Sequence, residues 1–172
     1  VSAVKNPRVT LIEGGETRAK SVLNGLTALS GLAQSDDWVL VHDMARPCVT
    51  SLDIMNLINS LKGHPAGGLL TTQINETLKT VTPDNYVKET VERDCYRLAQ
   101  TTQMFRYGLL RDAIQLMLHE QKMPTDEASA MEYSQHKVLT VEGRHDNIKI
   151  TRREDLMIAE VILMNQEKQR CE

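Results

Sequence analysis

Asp43, Arg93, Lys149 and a group of threonines are the side chains here whose types and positions suit phosphate chemistry. Asp43 follows the run Val39-Leu40-Val41-His42 and precedes Arg46-Pro47. Val39-Leu40-Val41 reads as a short, buried, β-branched strand. Asp43 then falls just past its carboxyl end, where ligands bind in open α/β sheets. A carboxylate there can hold Mg²⁺, which usually arrives with phosphates. Asp and Pro also build ordinary turns, so at this point the segment reads equally as a turn and as a site.

The other candidates carry the same double reading. Arg93 could grip phosphate through its forked donors. Thr77, Thr101 and Thr125 stand at element ends, where hydroxyls form structural caps or part of a phosphate cradle. Lys149 alternates with Ile148 and Ile150 and so points to the face opposite theirs. It is either solvated or, if it faces the site, a point charge suited to a transferring phosphoryl group. Gly14-Gly15 lies between an apolar run and a helix, where backbone can approach an anion or simply turn. Ser21, beside Arg18 and Lys20, reads as part of a solvated helix face.

Composition narrows the classes. The chain has 172 residues, enough for one domain and one core. A net charge of −3 offers no basic face for nucleic acid, so any phosphate binding must rest on a few placed cations. No apolar run reaches transmembrane length. Cys48, Cys95 and Cys171 are far apart and form no C-x-x-C pair, which fits reduced thiols in a cytoplasmic protein. The histidines show no metal-ligand spacing with them. No Ser-His-Asp order, metalloprotease motif or Walker loop is present.

The elements that must position these residues follow from periodicity. Strands are expected at 9–12, 39–41, 67–71, 98–101, 137–141 and, as a short strand or edge, 147–150. Helices are expected over 17–29, over 106–119, and over 126–133 with Thr125 as N-cap. Thr50 and Asp53 form a capping box before a helix carrying Ile54, Leu57, Ile58 and Leu61. Thr151 and Glu154 form a second box before a terminal helix. Residues 77–92 alternate apolar and polar about Thr82-Pro83-Asp84-Asn85, the pattern of a hairpin. It is too thin to bury much alone and would pack better on a partner chain. The whole predicts a three-layer α/β domain with a mostly parallel sheet and an inserted hairpin.

Taken in order, the segments 14–26 (Gly-Gly-Glu-Thr-Arg-Ala-Lys-Ser-Val-Leu-Asn-Gly-Leu), 41–47 (Val-His-Asp-Met-Ala-Arg-Pro), 76–79, 125–130 and 142–149 resemble the 2-C-methyl-D-erythritol 4-phosphate cytidylyltransferase family. The resemblance runs from Asn6 to about Asn165, and the order of five motifs makes it specific. It implies a Rossmann-like nucleotidyltransferase fold over residues 1–172 as one domain, with a β-arm at about 72–96. It implies Mg²⁺-dependent transfer of CMP from CTP to methylerythritol phosphate, with release of pyrophosphate, in isoprenoid precursor synthesis. By similarity, Gly15, Glu16 and Ser21 meet the cytidine, and Asp43 holds Mg²⁺ near the triphosphate. Thr77, Arg93, Thr101, Thr125 and Lys149 form the methylerythritol phosphate pocket, with Arg93 and Lys149 catalytic. The arm implies a homodimer in which Thr77 and Arg93 serve the neighbouring subunit.

The sequence departs from the family pattern at Met44 (usually alanine), Glu76 (usually aspartate) and Thr102 (commonly proline). Family members also begin with a Gly-rich loop of Ala-Ala-Gly-x-Gly-x-Arg-Met type, which does not precede Val1. Further residues are therefore expected upstream in the whole molecule, and negligible activity is expected without them. Two alternatives stand beside the main reading. One is a cytidylyltransferase for another polyol phosphate, such as ribitol 5-phosphate. The other is an inactive fragment serving as a binding or dimerisation module.

Overall fold

The computed structural model describes residues 6–170; Cys171 lies outside them. The helices are α1 (Arg18–Ala28), α2 (Ser51–Leu61), α3 (Tyr107–His119), α4 (Glu127–Tyr133) and α5 (Arg153–Arg170). The strands are β1 (Trp38–Val41), β2 (Gly67–Gln73), β3 (Leu78–Val81), β4 (Val87–Val91), β5 (Arg97–Arg106) and β6 (Leu139–Glu142). They divide between two compact units: residues up to Val39 with Phe105–Val138, and Leu40–Met104 with the residues from Leu139 onward. Among the described residues no helix is long and apolar enough to cross a membrane.

In the first unit α3 packs against both α1 and α4. Thr17 caps α1 by accepting the Lys20 N–H at 3.2 Å, and the helix buries Ala19 and Leu26. Leu110, Ala113, Ile114 and Met117 of α3 and Ala128, Ala130 and Met131 of α4 complete the apolar core. The Tyr107 hydroxyl donates to the Leu26 carbonyl at 3.0 Å, which satisfies its polar end inside that core. Two expectations fail here. Residues 9–12 form no strand, and Leu11 is 61 % exposed. An apolar run becomes a strand only where a neighbour pairs its backbone, and none does so among the described residues. The cap of α4 is Asp126, not Thr125. Asp126 Oδ1 accepts the Ser129 N–H at 2.8 Å, and Ser129 Oγ accepts the Asp126 N–H at 3.2 Å. The helix starts one residue later than read, so the reciprocal box is Asp-x-x-Ser.

The four-stranded sheet has the order β1-β5-β2-β6, with β2 and β6 parallel and Gly68 opposite Leu139. A Cβ on Gly68 would lie 2.1 Å from the Leu139 carbonyl oxygen, so only glycine allows this approach. As an edge strand, β1 is half-buried rather than buried. The predicted Thr50/Asp53 capping box forms, and α2 packs on β2 and β6 through Leu57 and Leu61. Each fully buried leucine contributes about 2 kcal/mol.

The hairpin β3–β4 is antiparallel, with Leu78 opposite Val91. The Asn85 N–H donates to the Thr82 carbonyl at 2.9 Å, and the Thr82 N–H to the Tyr86 carbonyl at 2.9 Å. Asn85 takes φ 66°, the left-handed position that closes a three-residue loop. β6 begins two residues later than expected, and residues 147–150 are extended without strand pairing; the Ile150 N–H donates instead to the Ala45 carbonyl at 2.8 Å. At α5 the capping acid is Asp155 rather than Glu154. Its Oδ2 accepts the Thr151 N–H (2.9 Å) and the Arg152 N–H (2.8 Å) because the helix begins at Arg153.

Two outcomes follow from these caps. Asp126→Ala lowers unfolding free energy in urea by at least about 1 kcal/mol, whereas Thr125→Ala stays within ~0.5 kcal/mol of the parent. The Thr151 and Arg152 N–H groups hold the Asp155 carboxyl below its ordinary pKa. Its contribution is therefore present above the unfolded-state value and is lost as pH falls through the depressed folded value. Urea curves from neutral to acid pH should show the gap between the parent and Asp155→Ala closing in that acid window. A Glu154→Ala series showing the same convergence would contradict the cap.

Candidate functional site

Asp43 sits two residues beyond β1, as expected. Its carbonyl accepts the Arg46 N–H at 2.9 Å, so the segment is a turn. The carboxylate is not part of that turn: Asp43 Oδ2 lies 3.0 Å from Lys149 Nζ. Turn and site are therefore one structure. The Asp43 N–H donates to Thr101 Oγ1 at 3.0 Å. Asp43, Thr101 and Lys149, far apart in sequence, are thus brought together. Lys149 is a member of an ion pair rather than a merely solvated lysine.

The strand behind them is unusual in composition. Gln100, Thr101, Thr102 and Gln103 of β5 are consecutive, polar and buried. Each must find partners. Thr102 Oγ1 lies 3.2 Å from His42 Nδ1, and His42 Nε2 lies 2.9 Å from the Arg46 carbonyl. A carbonyl only accepts, so Nε2 carries a proton; in a neutral ring Nδ1 then accepts from the Thr102 hydroxyl. The Thr101–Thr102 peptide is cis. Arg46 donates through Nη1 to the Asn147 carbonyl (2.7 Å) and through Nη2 to the Ala99 carbonyl (3.2 Å). Burial of the guanidinium lowers its pKa, and Asp43 opposes that shift.

A cleft of about 360 Å³ opens beside the pair, lined by Arg46, Gln100, His145, Asn147 and Lys149 among others. That is the scale of a small-molecule site. Arg46 Nε, Gln100 Oε1 and Asn147 Oδ1, on three of the residues that line it, are buried without a protein partner. Among the described residues no three His, Cys, Asp or Glu side chains cluster to hold a metal. One carboxylate at a cleft fits Mg²⁺ only in the mode where substrate phosphates supply most of the ligands. Met44, beside Asp43, is 97 % exposed and does not crowd the carboxylate.

Thr77 and Arg93 stand at the base of the hairpin, both exposed, and Arg93 Nη1 donates to the Asn75 carbonyl. Arg93 opens a single 3₁₀ turn, Arg93–Cys95. The free thiols differ: Cys95 is exposed, while Cys48 is buried and its pKa is raised by desolvation.

Gly15, Glu16, Ser21 and Thr125 lie in the first unit. Ser21 is not simply part of a solvated face. Its hydroxyl accepts the Gly15 N–H at 2.9 Å and donates to the Thr17 carbonyl at 3.0 Å, which ties the glycine loop to the first turn of α1. A Cβ on Gly15 would stand 2.3 Å from Lys20 Cγ, so this glycine is required, whereas Gly14 has ordinary room. Glu16 is exposed beside it. Arg18 grips Glu127 with two bonds, Nη1–Oε1 at 2.6 Å and Nη2–Oε2 at 3.0 Å, and Glu127 is 1 % exposed. This fork joins the first turn of α1 to that of α4, next to Thr125.

Sequence reasoning did not assign roles to His42, Gln100, Thr102, Glu127 or Asn147. The run Gln-Thr-Thr-Gln inside a strand was the available signal, since four buried polar residues in succession need partners.

A family model for 2-C-methyl-D-erythritol 4-phosphate cytidylyltransferase matches residues 1–165. The Vesicomyosocius okutanii protein of that name is 46 % identical over 155 residues, covering 90 % of this chain and 64 % of the relative. The Pseudomonas aeruginosa protein of that name is 50 % identical over 145 residues, covering 84 % and 62 %. The chain spans less than two thirds of the length of either. The crystal structure of the Francisella tularensis 2-C-methyl-D-erythritol 4-phosphate cytidylyltransferase superposes with a TM-score of 0.82 at 39 % identity, covering 93 % of this chain and 74 % of that one.

Arg18→Ala leaves the buried Glu127 carboxylate unpaired and lowers unfolding free energy by about 3 kcal/mol. Replacing both partners, as Arg18→Met with Glu127→Leu, recovers most of that loss in the same urea measurement. A double variant no more stable than Arg18→Ala would show that the loss is not one of unpaired charge.

Proposed function

The chain belongs to the 2-C-methyl-D-erythritol 4-phosphate cytidylyltransferase family, and on that premise we propose that the protein carrying it transfers CMP from CTP to methylerythritol phosphate. The observation that carries the reading is the Lys149–Asp43 pair at the end of β1, against the Thr101 hydroxyl and beside the cleft. In the reaction an oxygen of the acceptor phosphate attacks the α-phosphorus of CTP in line. The new P–O bond forms as the α–β bridging P–O bond breaks, and pyrophosphate carries away the leaving electron pair.

Lys149 neutralises charge on the reacting phosphates, and a fixed cation costs no reorganisation at that moment. Asp43 would hold Mg²⁺, which would supply charge neutralisation on the triphosphate when bound. Gly15, Glu16 and Ser21 receive the cytidine, with the Gly15 loop held by Ser21. Thr101, Thr125 and Lys149 receive the acceptor phosphate, joined by Thr77 and Arg93 of a second copy. The exposed apolar residues Val81, Tyr86 and Val87 support the hairpin as a dimerisation arm, since a two-stranded ribbon needs another surface to cover them. The finer fold reading is a three-layer, Rossmann-like nucleotidyltransferase, and the place of action is the cytoplasm.

The test is pyrophosphate release from CTP with Mg²⁺ and either methylerythritol phosphate or ribitol 5-phosphate, using the intact protein that carries this chain. Turnover is expected with the first acceptor; release with neither, or with the second alone, overturns the reading. Lys149→Ala lowers kcat/KM about a hundredfold, the loss of roughly 3 kcal/mol of transition-state stabilisation. Arg93→Ala retains the fold and raises the acceptor KM about tenfold or more, the loss of a charged hydrogen bond. With the acceptor held below its parental KM, mixing Arg93→Ala and Lys149→Ala dimers and allowing exchange brings activity to about a quarter of parental, because each mixed dimer has one intact site. No recovery on verified exchange would place Arg93 in its own subunit's site.

A further inference from the structure

Lys149 lies in a stretch with no ladder of its own. Residues 143–150 follow β6 and precede α5, and none is in a strand. A catalytic cation on such a segment needs other means of positioning, because small displacements of reacting groups are costly. The segment is held at its ends by the Gly143 N–H on the Thr71 carbonyl (2.8 Å) and the Ile150 N–H on the Ala45 carbonyl (2.8 Å), and by Gln100 Nε2 on the Arg144 carbonyl (2.9 Å). Between them, three further bonds meet at Asn147, two residues before Lys149.

Asn147 is 0 % exposed. Its carbonyl accepts from Arg46 Nη1 at 2.7 Å and from Gln100 Nε2 at 3.4 Å. Its side-chain Nδ2 donates to the Thr101 carbonyl at 3.0 Å. The other end of Thr101, its hydroxyl, accepts the Asp43 N–H. Both partners of the Lys149–Asp43 pair are thus registered against one residue: Asp43 through the hydroxyl and Lys149 through Asn147 and the carbonyl. Main-chain bonds to Arg46, Gln100 and Ala45 fix the height of the segment. The Asn147 side chain ties it to Thr101.

We propose that Asn147 is a positioning residue that sets the Lys149 ammonium against Asp43 and the cleft, and so acts on catalysis through Lys149 without touching substrate. The proposal rests on the reading of Lys149 given above. Asn147→Ala is a selective test, because the bonds made by the residue 147 carbonyl survive it. What it removes is the donor to Thr101.

Two readouts separate this role from a merely structural one. The first is the rate of reductive methylation of Lys149 in the intact protein, followed by mass spectrometry and normalised to Lys137. Pairing with Asp43 slows it, and both Asn147→Ala and Asp43→Asn should raise it several-fold while other lysines stay unchanged. The second is a split in kinetics: kcat should fall by about tenfold to a hundredfold, with the KM for CTP within about threefold, because Gly15, Glu16 and Ser21 are carried by other elements. If Asn147→Ala does not fold, Asn147→Ser, which leaves a smaller void and keeps a hydroxyl, takes its place in both measurements.

Lower thermal stability with parental methylation and parental kcat overturns the proposal, and so does failure of both variants to fold. An intact parent protein that turns over no acceptor sinks the functional reading alone. The methylation comparison still decides whether Asn147 positions Lys149.

Discussion

Thr101 is held from two directions, and the arrangement of the second unit depends on it. Its hydroxyl takes the Asp43 N–H, and its carbonyl takes the Asn147 side chain. It lies on β5, which has neighbours on both sides in the sheet. A central strand is a stiff reference. The turn after β1 and the irregular stretch before α5 have no comparable stiffness, so both are set by hydrogen bonds to β5. The buried polar run Gln100–Gln103 is the cost of that arrangement: apolar side chains would pack better but could not bind loops. Such a network specifies one geometry only when its members are largely satisfied. Of the atoms around this run, Arg46 Nε, Gln100 Oε1 and Asn147 Oδ1 stay without a protein partner, and their residues line the cleft.

The first unit solves a similar problem at helix starts. The Gly15 N–H is held by Ser21, one turn into α1, and the first turns of α1 and α4 are joined by the fork between Arg18 and Glu127. A planar guanidinium suits this because two parallel bonds fix orientation as well as distance. Helix N-termini also present unpaired N–H groups, so a loop pinned there offers donors at a fixed position. Polar residues are thus placed at element ends, where backbone groups need partners, and the apolar core of each unit stays simple.

The hairpin stands apart from both solutions. Its loop is closed by Thr82, Asn85 and Tyr86, and its register shifts between Thr80 and Val81. Cross-strand contacts such as Lys79 Nζ to Thr90 Oγ1 stabilise it locally. They do not cover Val81, Tyr86 or Val87. Apolar side chains exposed on a polar ribbon mark a surface that another surface would cover.

Local chemistry was the legible part. The helices α1, α2 and α3, the hairpin and the Thr50/Asp53 box follow from spacing and capping residues alone, because propensity and cap geometry act over a few residues. Asp43 at a strand end was legible for the same reason, and the ordered motifs pointed to the family. What one chain segment does to another was not. The run 9–12 has strand composition but no strand, since a ladder needs a partner. Asp126 and Asp155 displaced Thr125 and Glu154 as caps because the starting residue of each helix was set one position later. The Lys149–Asp43 pair joins residues more than a hundred positions apart, as does the contact of Arg46 with Asn147. The sequence alone determined which residue types and local turns were present. The tertiary structure decided which carboxylate meets which cation, because that depends on β5 bringing the ends of separate segments within hydrogen-bonding distance.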